Sequence, residues 1–157
     1  MRRLLVEHVE LKDEFGAEVR ACLRDLETQS VYCVDLVEML ELNTSPRLYG
    51  HEGEIIDSEF YIQWADLCKP FETSKGMEYV QKWESPYIEA RGKVLERAAE
   101  NVLICEIKGL ADRIIVDDLT GNANVGETIY LNGSLSIDYY ENNTVKNWMI
   151  PYDPELG

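Results

Sequence analysis

Residues 128–140 read Thr128-Ile129-Tyr130-Leu131-Asn132-Gly133-Ser134-Leu135-Ser136-Ile137-Asp138-Tyr139-Tyr140. Two runs rich in aliphatic and aromatic residues flank Asn132-Gly133. Asn-Gly supplies the positive φ angles of a type I′ turn, so the stretch predicts a β-hairpin. Leu135, Ile137 and Tyr139 recur at every second position, the period of a strand with one buried face. Working outward, residues 102–107 and 113–116 are further β-rich runs, separated by Gly109. Residues 121–126 form a loop, Glu141-Asn142-Asn143 turns the chain again, and residues 145–150 read as another strand. The last third is therefore expected to be an antiparallel β-meander.

The earlier part of the chain carries helical spacing. Phe15, Val19, Cys22, Leu23 and Leu26 recur as an amphipathic stripe, with Asp13 available as a cap, which predicts a helix over 13–27. Residues 31–42 are apolar except for Asp35, Glu38 and Glu41. Spaced by three, these acids form one ridge on a helix, although residues 30–34 also suit a strand. Ser85-Pro86 supplies an N-cap hydroxyl and a proline at the first helical position, predicting a helix over 86–100 with Ile88, Leu95 and Ala99 inward. Residues 76–84 suit a short helix, 4–11 a strand or the approach to a helix, and 55–68 a strand followed by a helical turn. The loop over 43–54 carries Pro46, Gly50 and Gly53. Helices first and a meander last define an α+β class, with N-terminal helices packed on a C-terminal antiparallel sheet. The alternative is a cystatin-like α+β cone. It resembles, in architecture alone, nuclear-transport-factor-like proteins, and that resemblance implies an enclosed pocket. A chain of 157 residues is expected to form a single domain over 1–157.

Charge narrows the functional classes. Thirty acids oppose fifteen Lys and Arg, for a net charge of −15. Residues 25–68 carry ten acids and only Arg47; residues 114–157 carry seven acids and only Lys146. Such blocks repel nucleic acid and anionic membranes and attract cationic surfaces. No apolar run is long enough to span a membrane. Leu4-Leu5-Val6 is interrupted at once by Glu7, His8 and Glu10, so no signal peptide is expected and the cytoplasm is the expected location. Cys22, Cys33, Cys68 and Cys105 match no CxxC or zinc spacing, and four reduced thiols are expected. The three Asn-x-Ser/Thr sequons then read as turn residues.

No nucleophile elbow, dinucleotide fingerprint or P-loop is present. His51 lies among Glu52 and Glu54 in a glycine-flanked loop, but a solvated histidine is the commoner outcome. Asp117-Asp118 suits a turn better than a Mg²⁺ site. Neither a cofactor, a metal nor a catalytic residue is assigned. Trp64 and Trp148 are expected in the core. These features favour a binding protein over an enzyme: an acidic inhibitor that neutralises a basic protein, in its most concrete form an immunity protein against a nuclease-type toxin. The candidate contact residues are Asp35, Glu38, Glu41, Glu52, Glu54, Asp57 and Glu59, followed by Asp138, Tyr139, Tyr140 and Glu141. The rival class is a small-ligand-binding or SnoaL-like enzyme domain with an enclosed apolar pocket.

Overall fold

A computed structural model describes residues 2–12, 18–37, 52–73, 76–81, 85–117, 123–141 and 144–145. Among these residues there is no helix. The elements are β1 (Arg2–Leu11), β2 (Glu18–Asp25), β3 (Val31–Val37), β4 (Ile55–Leu67), β5 (Tyr79–Gln81), β6 (Tyr87–Ala99), β7 (Val102–Ile107), β8 (Ala111–Asp117), β9 (Thr128–Glu141) and β10 (Thr144–Val145). The α+β expectation is overturned, and the cystatin-like cone falls with it, since both require helices.

The reason lies in parity. In β2 the buried residues are Val19, Ala21, Leu23 and Asp25. Val19 and Leu23 are four apart, a spacing that fits one helical stripe and one strand face equally well. Small, fully buried Ala21 decides between them. In β6, Ile88, Ala90, Gly92 and Val94 point inward while Tyr87, Arg91 and Lys93 are exposed, so the Ser85-Pro86 signal precedes a strand. Tyr79–Gln81 extends along β6 as β5 instead of forming a short helix. The expected strands over 102–107 and 113–116 are present, residues 4–11 take the strand of their two alternatives, and Gly109 makes the β7–β8 turn at φ +85°.

Strand pairing follows the order β10-β9-β6-β7-β8-β4-β1-β2-β3, with a further β9–β4 pairing. The chain divides into two compact units. Unit 1 comprises Met1–Glu59, Trp83–Pro86 and Ser136–Gly157; unit 2 comprises Phe60–Lys82 and Tyr87–Leu135.

In unit 1 the first part of β4, β1, β2 and β3 form an antiparallel sheet in that order. Leu4, Val6, Val9, Val19, Ala21, Leu23, Tyr32, Val34 and Ile56 are its core. Each fully buried aliphatic side chain contributes roughly 2 kcal/mol relative to exposure. Asp25 closes β2 from a buried position. Its carboxylate accepts from the amides of Glu27 (2.8 Å) and Thr28 (3.2 Å) and from Arg2 (2.6 Å), fixing the turn into β3.

In unit 2 the pairings run β4–β8–β7–β6–β9 and return to β4, which closes a five-stranded β-barrel. A parallel pairing joins Tyr61 and Ile62 of β4 to Ile115 and Val116 of β8. Closure leaves this ring without an open edge. Ile62, Ile88, Leu103, Ile107, Leu110, Ile114 and Leu131 fill the interior.

The expected hairpin at Asn132-Gly133 does not form. β9 runs through both residues, with Asn132 opposite Glu89 and Gly133 opposite Ile88 of β6. Gly133 is there for close approach. A Cβ on it would lie 2.5 Å from Ile62 Cγ2 and 2.8 Å from the Gln63 carbonyl oxygen. Non-local packing against β4 has overridden the local turn chemistry.

Candidate functional site

The helical ridge expected from Asp35, Glu38 and Glu41 is not what residues 31–37 build. Asp35 lies on β3 opposite Arg20 of β2, which donates to its carboxylate at 3.0 and 3.4 Å. That bidentate contact raises the Arg20 pKa, its hydrogen bond with Asp35 outweighing the opposing effect of burial. Asp35 is therefore largely neutralised inside the chain. Glu38 and Glu41 lie outside the described residues. Asp138, Tyr139, Tyr140 and Glu141 are the last four positions of β9, with Tyr140 opposite Val145 and Glu141 opposite Thr144; their side chains lie outside the described ones.

The remaining acids do come together. Glu52 and Glu54 are exposed just before β4, and Asp57 and Glu59 share a face of its first part with exposed Ile55. Backbone bonds hold the segment: the Val6 amide donates to the Glu54 carbonyl (2.9 Å), and the Gly53 amide to the Val6 carbonyl (2.7 Å). Asp57 is 3.9 Å from Arg3, both well exposed, a contact worth little in water.

The two units differ sharply in charge. Unit 1 contains nineteen acids and seven Lys and Arg, a net of −12; unit 2 contains eleven and eight, a net of −3. Within unit 1, Arg2, Arg3, Arg20 and Arg24 are already engaged with Asp25, Asp57, Asp35 and Glu7.

Unit 2 carries an open groove of about 280 Å³ lined by Glu78, Arg91, Lys93, Glu106, Lys108 and Thr128. Lys93 sits between Glu106 on β7 and Thr128 on β9. Arg91 lies 3.6 Å from Glu78 and 5.9 Å from the Tyr130 ring centroid, and Tyr130 meets Phe71 edge-on at 5.2 Å. The lining mixes acids and bases, with the Arg91–Glu78 contact among them.

Trp64, expected in the core, is instead 71% exposed, with φ +56° inside β4. Ile56, Ser58, Phe60 and Ile62 are buried at even positions, with Tyr61 buried between the last two, and beyond Trp64 the buried residue is Ala65, at an odd position. The inward phase thus slips across residues 63–64, the signature of a bulge that re-aims a side chain. Nothing local in the sequence marks Ala65 as inward, so the slip carries no sequence signal of its own. Left-handed backbone at a bulky residue costs about 1–2 kcal/mol. Trp64→Gly is accordingly expected to lose no stability, and to gain up to about 1 kcal/mol in urea denaturation. A loss beyond about 1 kcal/mol would show that the ring contributes to packing.

His8 is exposed on β1, and His51 lies outside the described residues. Asp117 ends β8, and Asp118 lies outside them, as does Trp148. Among the described residues no three His, Cys, Asp or Glu side chains are grouped to hold a metal ion. No disulfide joins the four cysteines. Burial pushes the Cys33 and Cys105 thiols up to about 12, and burial followed by Glu89 and Asp66 raises Cys68. No protein-family model, curated protein or solved structure matches the chain.

Proposed function

We propose that the protein binds and neutralises a basic protein partner through the acidic surface of unit 1. Its most concrete form is inhibition of a cytoplasmic nuclease-type toxin. The observation that carries this reading is the charge partition: −12 of the −15 resides in unit 1, with Glu52, Glu54 and Glu59 exposed in one short segment. An enzyme that cleaves RNA or DNA needs a cationic cleft for phosphates. A folded acidic surface fits such a cleft, excludes the substrate and is steered into it by long-range attraction. Relief of the self-repulsion in unit 1 adds to the driving force.

The test is association kinetics. A basic nuclease-type toxin is titrated with the purified protein, and nucleic-acid cleavage and association rate are followed together. Stoichiometric inhibition is expected, with an association rate that falls as salt rises. The triple reversal Glu52→Lys, Glu54→Lys and Glu59→Lys should slow association roughly tenfold or more at low salt and flatten the salt dependence. An unaltered rate would place the interface elsewhere.

A further inference from the structure

β2 and β3 pair antiparallel with Cys22 directly opposite Cys33. The Asp25 amide donates to the Ser30 carbonyl at 2.9 Å, so residues 25 and 30 are a hydrogen-bonded pair in the same register. Pairs alternate along an antiparallel ladder, which makes Cys22/Cys33 a non-hydrogen-bonded pair, with Cα atoms about 4.5 Å apart. Disulfides bridge Cα separations of about 4.4–6.8 Å, so no backbone movement is needed for closure. Arg20 and Asp35, the next pair on this face, meet across the same strands at 3.0 Å. The thiols of Cys22 and Cys33 are themselves in hydrogen-bonding contact. Cys22 is half-buried, whereas Cys33 is 5% exposed. Cys22 is thus the more accessible of the two residues. With no further metal ligand grouped there among the described residues, the arrangement suits dithiol chemistry better than metal binding.

We propose that Cys22 and Cys33 are a thiol–disulfide exchange site, converted to an intramolecular cross-strand disulfide by a low-molecular-weight disulfide such as oxidised glutathione. The Cys22 thiol gives up its proton and attacks one sulfur of the small disulfide. That S–S bond breaks, and the departing thiolate takes up a proton. Cys33 then gives up its proton and attacks the Cys22 sulfur, breaking the mixed disulfide and releasing the second small thiol. The two cysteines are oxidised, the small disulfide is reduced to two thiols, and protons balance. The bond ties β2 to β3 beside the Arg20–Asp35 pair and is reversed by excess thiol. This site stands independently of the acidic surface.

The experiment uses the full chain, incubated with oxidised glutathione, alkylated and examined by intact mass and peptide mapping. Monomer with two of the four thiols protected, a Cys22–Cys33 cross-linked peptide and restoration by dithiothreitol is the expected result. Cys33→Ser should stop at a glutathione adduct on Cys22, while the double variant Cys68→Ser, Cys105→Ser should form the cross-link as the parent does. Four labelled thiols after incubation, a persistent glutathione adduct on Cys22 of the parent chain, or a cross-link through Cys68 or between molecules would each overturn the proposal. Mapping the parent chain decides the matter even where a variant fails to fold.

Discussion

Gly133→Ala is expected to destabilise the protein by about 2–3 kcal/mol, measured as a lowered urea midpoint at unchanged slope. The added methyl carbon would stand 2.5 Å from Ile62 Cγ2 and 2.8 Å from the Gln63 backbone oxygen. Neither neighbour can yield cheaply, because Ile62 is fully buried and the oxygen belongs to the chain next to the bulge at Trp64. A glycine in an exposed type I′ turn would behave differently, losing about 1 kcal/mol through its positive φ alone. Gly53 provides the internal contrast. It sits at φ +90° and an added Cβ would meet nothing within 4 Å, so Gly53→Ala is expected to lose only about 1 kcal/mol. Equal costs at the two positions would contradict the close packing of β9 on β4.

Asp25→Ala is the second large effect, expected to remove about 3 kcal/mol. Truncation leaves the Glu27 and Thr28 amides and the Arg2 guanidinium without their shared acceptor, at a position only 3% exposed. Asp25→Asn should recover part of the loss, because a side-chain carbonyl still accepts from the two amides. Acid provides an independent check. Burial acts to raise the Asp25 pKa, but the Glu27 and Thr28 amides and Arg2 together outweigh it, and the folded-state value lies below the usual carboxylate range. The carboxylate's contribution is therefore complete above the unfolded-state pKa of about 3.9. It is lost as pH falls from there through the folded-state value. The difference in stability between parent and Asp25→Ala should accordingly shrink on acidification. A constant difference down through that window would exclude a charged Asp25 as the source.

Which parts of this architecture are legible in the sequence depends on whether local and non-local signals agree. β7 and β8 are visible because alternation and the Gly109 turn point the same way. β2 is not, because Val19 and Leu23 satisfy both periods and nothing local marks Ala21 as buried. β6 is hidden behind a helix-start signal at Ser85-Pro86, although its inward Ile88, Ala90, Gly92 and Val94 alternate cleanly. At Asn132-Gly133 the local signal is strong and is overruled by Ile88 on one side and Ile62 on the other. The candidate site divides similarly. Acids clustered within residues 52–59 are apparent from sequence spacing. The neutralisation of Asp35 is not, since Arg20 lies fifteen positions away and only strand pairing unites them. The facing thiols of Cys22 and Cys33 are concealed for the same reason.

If binding depends on where the negative charge sits, a matched pair of triple reversals separates position from total charge. One variant carries Glu52→Lys, Glu54→Lys and Glu59→Lys in unit 1. The other carries Glu72→Lys, Glu100→Lys and Asp112→Lys, exposed acids of unit 2. Each change moves the net charge from −15 to −9, so overall charge is held equal between them. The measurement is the association rate with a basic nuclease that the protein is found to inhibit, at low and high salt, made on folded protein. The unit 1 variant is expected to associate at least about tenfold more slowly at low salt, with the gap closing at high salt, while the unit 2 variant stays within a few-fold of the parent. Equal slowing of both variants, or slowing confined to unit 2, would contradict a partner-binding role for the acidic surface of unit 1.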